Sequence, residues 1–301
     1  GFITFPGAVT NTTFSLAKYT PLNHPICPGT NQINSFVALN TTNAPVTATI
    51  TVIPTFGPST AVCTGTQETF TITVNPIPNI NTVANQSVCV GQLTQAVNFS
   101  SNPSIIGTVY EWTNTNTSIG LSSGNIGSIP AFNGINNGNA LETGLITVTP
   151  KYTNLNHLCA GSPITFSINI IPTPTVNDPS NLVICNNGAV AAINFAGNVA
   201  NTSYAWQNNN TSINLAASGP ASIPTFNATN TGTAPTIAQI VVTPSYTHGT
   251  TTCPGTSQDF TITVNPTPTV NPISSVAYCV GSTTAPISFS ASPGVSGTVY
   301  N

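Results

Sequence analysis

Charge is nearly missing from this chain. Of its 301 residues only Lys18, Glu68, Glu111, Glu142, Lys151, Asp178 and Asp259 are formally charged, 2% in all, against about a quarter in ordinary globular proteins. With a net charge of −3 there is no basic stripe to neutralise phosphates, which argues against a nucleic-acid partner. There is no polybasic patch for anionic lipid either. Carboxylates never cluster, so neither an acid–base pair nor a calcium site of hard oxygen ligands is supported. The exterior must instead be built from Thr, Asn, Ser and Gln, a surface on which little titrates or is screened by salt. It also presents almost no cleavage point to trypsin-like proteases.

Other absences narrow the reading further. No apolar run approaches the 18 or so residues that span a bilayer, so direct membrane insertion of this segment is not expected. Met is absent, and Gly1-Phe2-Ile3-Thr4-Phe5 lacks the charged start and cleavage site of a secretory leader; both fit an internal segment of a longer chain. No stretch sustains a 3.6-residue period, and no Gly-rich loop follows a strand to open a helix. The only histidines, His24, His157 and His248, lie three, two and five residues before a cysteine. A thiol–histidine couple is one reading of that spacing; polar loop residues beside disulfide cysteines are the simpler one. No copy gathers four metal ligands. The chain is therefore expected to carry no catalytic residue, cofactor or metal.

What is present is repetition. Cys63-Thr64-Gly65, Cys159-Ala160-Gly161 and Cys253-Pro254-Gly255 mark one point in three successive copies. Cys89-Val90-Gly91, Cys185-Asn186-Asn187-Gly188 and Cys279-Val280-Gly281 mark a second. Tyr110-Glu111-Trp112 and Tyr204-Ala205-Trp206 mark a third. A fixed period of about 95 residues signals an array of supersecondary units. The expected division is a partial repeat over 1–78, full repeats over 79–174 and 175–268, and the truncated start of a fourth over 269–301. Each full repeat is long enough to fold around its own core.

Period-two alternation runs through every copy. Phe70-Thr71-Ile72-Thr73-Val74, Phe166-Ser167-Ile168-Asn169-Ile170 and Phe260-Thr261-Ile262-Thr263-Val264 each put apolar residues on one face and polar ones on the other, as half-buried strands do. Thr49-Ile50-Thr51-Val52, Ile146-Thr147-Val148-Thr149 and Ile240-Val241-Val242-Thr243 form the preceding strands, and Pro54, Pro150 and Pro244 are expected to end them. About seven short strands per repeat, separated by Gly, Pro, Asn and Ser turns, predict an all-β fold of tandem immunoglobulin-like β-sandwiches. The core is expected to hold Trp112 and Trp206, then Phe99, Phe195 and Phe289, and Phe36, Phe132 and Phe226. The joints Asn75-Pro76-Ile77-Pro78, Ile171-Pro172-Thr173-Pro174 and Asn265-Pro266-Thr267-Pro268 predict short, semi-rigid spacers and an extended rod.

Six of the seven cysteines sit at repeat positions, which implies disulfides and an oxidising, extracytoplasmic setting. Spacing leaves two schemes open. One bridges within repeats, Cys89–Cys159 and Cys185–Cys253, with Cys63 and Cys279 pairing outside the segment. The other crosses each joint, Cys63–Cys89, Cys159–Cys185 and Cys253–Cys279. The first is preferred because each repeat then folds alone, with about 4 kcal/mol from a loop of roughly 70 residues. Cys27 fits neither scheme; its register places it opposite Ser123 and Ala217. Sequons such as Asn11-Thr12-Thr13, Asn116-Thr117-Ser118 and Asn210-Thr211-Ser212 are expected by chance in so Asn- and Thr-rich a chain.

The phrases Gly107-Thr108-Val109-Tyr110-Glu111-Trp112-Thr113-Asn114, Thr117-Ser118-Ile119-Gly120-Leu121, Ser128-Ile129-Pro130-Ala131-Phe132 and Thr261-Ile262-Thr263-Val264-Asn265-Pro266-Thr267-Pro268 resemble a repeat family. It is the PKD-like, immunoglobulin-like repeats of very large Bacteroidetes cell-surface proteins, among them the SprB-type gliding-motility adhesins. The resemblance covers essentially all 301 residues and implies an all-β array, export by the type IX secretion system and display on the cell surface. The first repeat departs from it, with Leu16 in the place of Trp112 and Trp206. The implied function is a structural and adhesive stalk in surface attachment or gliding. Its partners would be neighbouring repeats and surface polysaccharide or other cell-surface proteins. A self-assembling filament or sheath subunit is the alternative, and spacer domains of a secreted enzyme a second.

Overall fold

The computed structural model describes residues 3–4, 13–16, 32–33, 35–58 and 60–301; Lys18, His24 and Cys27 lie outside them. The described residues are almost entirely strand and turn, with two single-turn 3-10 segments, Thr117–Ile119 and Thr211–Ile213, and no α-helix. No helix among them is long and apolar enough to cross a membrane.

One long strand organises each repeat: Val46–Phe56, Glu142–Asn154 and Thr236–His248. Their inward positions, such as Ile146, Val148, Ile240 and Val242, are fully buried, because alternate side chains of a strand share one face. In the second repeat this strand lies between Ile164–Ile171 and Val109–Asn114. Gln86–Cys89 flanks the former edge and Gly124–Ile126 the latter. The third repeats the order with Leu182–Cys185, Gln258–Asn265, Thr236–His248, Ser203–Asn208 and Ser218–Pro220. A thinner second layer closes over the sheet. It consists of the bridges Leu93–Asn133 and Val97–Ile129 in the second repeat, and Ile193–Ile223 with Ala189–Val190 against Phe226–Asn227 in the third. These are immunoglobulin-like sandwiches in tandem.

Three separate apolar clusters lie within residues 33–74, 80–170 and 176–264. We refer to them as the first, second and third modules. Trp112 and Trp206 are buried and face Val148 and Val242 in register. The backbone register pairs Leu16 with Val52 at the equivalent point of the first module. Phe99, Phe132, Phe195 and Phe226 are half-buried against the clusters, and Phe36 against that of the first module. Phe99 and Phe195 tilt onto Tyr110 and Tyr204 with ring centroids 5.7 and 5.9 Å apart. Phe289 differs from expectation. It is 54% exposed, stacked on Tyr300 with ring centroids 5.9 Å apart in a segment, residues 269–301, whose pairing is limited to Thr269–Val270 with Ala291–Ser292.

The prolines also differ from expectation. Pro54, Pro150 and Pro244 lie inside the long strands instead of ending them. Between the register pairs Val148–Ile164 and Lys151–Ala160, two residues of the long strand face three of its partner. The same count holds in the other modules. Each proline thus sits at a bulge, where its missing N–H interrupts no ladder bond. Its carbonyl still accepts a bond, from the Gly65, Gly161 or Gly255 N–H at 2.8–2.9 Å.

Asparagine is also a core residue here. Asn136 and Asn230 are buried. Asn136 donates to the Ala140 and Ile170 carbonyls, both at 2.8 Å, and accepts from the Gly138 N–H. Asn230 does the same with Ala234, Val264 and Gly232. Asn40 donates to Ala44 and Val74 in the first module. Each clips a loop to the end of the last strand. Asn114 and Asn208, also buried, donate to the carbonyls of Leu121 and Ser122, or Leu215 and Ala216. Asn116 and Asn210 cap the two 3-10 turns.

Replacing Asn230 by Ala strands the buried Val264 carbonyl, which costs about 1–3 kcal/mol, and removes the part-buried bond to Ala234, worth about 0.5–1.5 kcal/mol. Denaturant unfolding of the Asn230→Ala chain is expected to show a loss of at least about 2 kcal/mol in the third-module transition. The second-module transition should keep its midpoint once the disulfide is reduced.

Candidate functional site: the joint between modules

The two cysteine motifs sit at opposite ends of a module, each for a local reason. The Cys-x-Gly motif follows the tip of a hairpin. His157–Ala160 folds back on the end of the long strand, with Cys159 opposite Tyr152; Thr251–Pro254 does the same, with Cys253 opposite Tyr246. The glycine two residues on must be glycine: a Cβ on Gly161 would overlap the Pro78 carbonyl, and one on Gly255 the Pro174 carbonyl. The hairpin is thereby seated on the Pro-x-Pro segment through which the chain enters its module. We call this the upstream end.

The second motif ends the flanking strand. Gln86–Cys89 runs parallel to Ile164–Ile171, with Cys89 level with Ile171. Leu182–Cys185 runs parallel to Gln258–Asn265, with Cys185 level with Asn265. Both cysteines therefore lie at the downstream end, where the chain leaves. Gly91 at φ +80° turns the chain after Cys89. In the longer third-repeat motif, Asn187 at φ +64° absorbs the extra residue, a conformation Asn tolerates better than most.

Cys89 is bonded to Cys253, with Cα atoms 5.6 Å apart and 164 residues between them in sequence. This corrects both sequence-based schemes. Within the second module, ten residues of long strand separate Glu142, level with Val88 through Ile170, from Tyr152 opposite Cys159. At about 3.3 Å per residue that is about 33 Å, far beyond the roughly 7 Å a disulfide can bridge. The same ten residues, Thr236 to Tyr246, separate Cys185 from Cys253. The 26-residue scheme fails as well, since Cys159 is upstream in the second module and Cys185 downstream in the third. Among the described residues Cys63, Cys159, Cys185 and Cys279 are free thiols.

The bond lies in a joint with further contacts. Thr251 Oγ1 donates to the Ser87 carbonyl at 3.3 Å, and Asn198 Nδ2 to Asn139 Oδ1 at 2.9 Å. The joint between the first and second modules repeats one of these contacts and adds another of its own. Asn43 Nδ2 donates to the Ser104 carbonyl at 3.4 Å, and Asn75 pairs with Asn154 at the upstream hairpin at 2.8 and 3.3 Å. Asn43 and Asn139 occupy the same place in successive repeats, and Ser104 and Asn198 each stand eight residues before the buried tryptophan. No charged side chain takes part in these bonds. The ion pair Lys151–Glu111 lies on the sheet face of the second module, its side chains one-third to one-half exposed; such a pair contributes at most about 1 kcal/mol.

Other chemistry is thinly represented. Cys253, five residues after His248, lies opposite Tyr246 and is locked in the disulfide. No group of three His, Cys, Asp or Glu able to hold a metal occurs among the described residues. An open groove of the third module is lined by Asn177, Asp178, Leu182, Ile193 and Phe195 among others, and brings no His, Cys or second carboxylate to Asp178.

No family model matches the chain, and no curated protein matches it. Solved structures similar to it are tandem β-domain proteins. Mouse protocadherin-24 EC1-3 shares 10% identity, with 88% of this chain and 93% of that one covered and a TM-score of 0.35. The human desmocollin-1 ectodomain shares 10% identity over 87% of this chain, with a TM-score of 0.31. The chain spans 56% of that ectodomain's length. The I9–I11 tandem from titin shares 10% identity, with coverage of 75% and 94% and a TM-score of 0.24.

Digestion of the oxidised chain without reduction is expected to release a peptide pair joining Cys89 to Cys253. Recovery of Cys89 joined to Cys159 would contradict the register described above.

Proposed function

We propose that the chain is a load-bearing, adhesive stalk segment of a long exported cell-surface protein, built from repeats over 1–78, 79–174 and 175–268 and the start of a fourth over 269–301. The observation that carries this reading is the covalent bond across the second joint. A disulfide inside a module limits how far that module unravels. One between modules does more, because it gives tension a path around both. Force arriving at Cys89 passes through sulfur to Cys253 and leaves along the last strand of the third module. The residues between the two cysteines carry none of it.

The setting follows from the same bond. A structural disulfide persists in oxidising surroundings, in keeping with export and surface display. Surface attachment or gliding motility, with type IX secretion as the export route, is the specific context suggested by the repeat phrases Gly107–Asn114 and Thr261–Pro268. Surface polysaccharide or other cell-surface proteins would be the outer partners, and neighbouring modules the inner ones. The neutral joint contacts among Asn43, Ser104, Asn139 and Asn198 support a stalk whose joints keep their strength over a wide range of salt.

Single-molecule pulling on residues 1–301, held by its termini, tests the mechanical part. Under oxidising conditions the second and third modules are expected to release almost no length. A thiol reductant should then free on the order of 550 Å, the extended span of the bypassed residues at about 3.3–3.6 Å each. Full extension of both modules before reduction would rule the load-bearing role out.

A further inference from the structure

We infer that the Cys89–Cys253 bond is one instance of a rule for every joint of the array: the downstream cysteine of each module bonds the upstream hairpin cysteine of the module that follows it. Cys185 is thus a binding site for a hairpin thiol of the Cys-x-Gly kind, carried by a module of this same repeat placed after the third.

Three observations carry this. First, the six repeat cysteines fall into two structural kinds. Cys89 and Cys185 end parallel flanking strands, and Cys279 stands at the same sequence position. Cys63, Cys159 and Cys253 lie on upstream hairpins, opposite Phe56, Tyr152 and Tyr246. The bond joins one of each kind. Second, the four free thiols among the described residues are those whose counterpart falls outside residues 1–301. A separation of 164, counted back from Cys63 or Cys159 or forward from Cys185 or Cys279, leaves the segment every time. Third, the two joints bring equivalent residues together, Asn43 with Ser104 and Asn139 with Asn198. The geometry that places Cys253 on Cys89 thus belongs to the repeat and not to one pair of modules. Burial agrees: hairpin Cys159 is half-exposed where bonded Cys253 is buried, and downstream Cys185 is exposed where bonded Cys89 is half-buried.

Each such bond forms from two thiols, which give up two protons and two electrons to a disulfide oxidant such as oxidised glutathione, itself cleaved to two thiols. The bonds overlap along the chain, because each spans the greater part of two modules. With every joint bonded, the shortest covalent route through two modules runs from Cys253 to Cys279, 26 residues, and then across the next disulfide. Fully extended, 26 residues reach about 90 Å. Two folded modules, each the length of a 13-residue strand or about 43 Å, already span about 86 Å. An array bonded in this way can hardly lengthen even with every module unfolded.

The test is a chain in which a second copy of residues 175–268 is inserted after residue 268, oxidised with glutathione disulfide and digested without reduction. A peptide pair joining Cys185 to Cys253 is expected alongside Cys89–Cys253. The Cys185→Ser substitution in the first copy should abolish the new pair, and the same substitution in the second copy should leave it. Persistence of the pair in the first-copy variant would mean bonding within a module and would overturn the rule. So would formation of Cys89–Cys253 alone. Failure of Cys89–Cys253 itself would overturn the joint from which the rule is drawn. The readout is chemical and independent of load, so a bonded array that still lengthened under force would count against the stalk and not against the rule.

Discussion

The direction of one short strand decides how these modules are joined. Gln86–Cys89 and Leu182–Cys185 lie parallel to the last strand of their own sheet. Parallel pairing is slightly weaker per residue than antiparallel pairing and cannot be closed by a hairpin, and here the chain must cross the sandwich to achieve it. The consequence is positional. A strand parallel to the last one ends where the last one ends, so its terminal cysteine is delivered to the exit of the module. Had the strand run antiparallel, Cys89 would lie near the hairpin that carries Cys159, and a bond within the module would be the natural outcome.

Loop entropy does not penalise the longer bridge. Closing a loop of 164 residues removes about 5 kcal/mol from the unfolded ensemble in the chain-entropy model, against about 4 kcal/mol for a loop of roughly 70. Stabilisation per bond is thus similar, and what changes is where it acts. The ends of the loop belong to different modules, so opening either one leaves the other still tied across the joint. The contacts made by Asn139, Asn198, Thr251 and Ser87 are too few to hold two modules at a fixed attitude by themselves. A covalent tie beside them keeps the partners at high effective concentration whenever the contacts open.

Much of this architecture is legible in the residues. Alternation around Ile146, Val148, Ile240 and Val242 identifies the inner face of the sheet, and the recurrence of Trp112 and Trp206 identifies its centre. Three features are hidden, for different physical reasons. Disulfide partners cannot be read from spacing, because spacing does not tell which end of a module a strand terminus reaches. Strands passing through Pro150 and Pro244 look broken, because the bulge that accommodates them is a property of two strands and not of one. Buried asparagines are masked by abundance. Asn136 and Asn230 are indistinguishable by type from the exposed amides around them, although their recurrence with Asn40 at the same point of each repeat carries the signal. At Cys159 and Cys253 the glycine two residues on carries a similar signal, since only the missing Cβ lets the hairpin sit against the incoming chain.

The scarcity of charge follows from the way the sheets are finished. Threonine and serine hydroxyls pair across strands, Thr47 with Thr73, Thr243 with Ser257, Thr247 with Thr252, and Thr143 with Asn169, all at 2.8–2.9 Å. Such cross-strand pairs stabilise a sheet by a few tenths of a kcal/mol or more each. Unlike ion pairs they are not screened by salt. They also leave the surface neutral right up to the ends of each module, where Asn75 meets Asn154 and Asn139 meets Asn198. Identical repeats must present the same ends at every joint, so a charge fixed at one joint position recurs at all of them. Neutral amides, which both donate and accept, are self-complementary in a way that single-sign charges are not. A repeat that docks on its own kind is therefore best served by asparagine at its ends, with the covalent bond supplying the strength those small contacts lack.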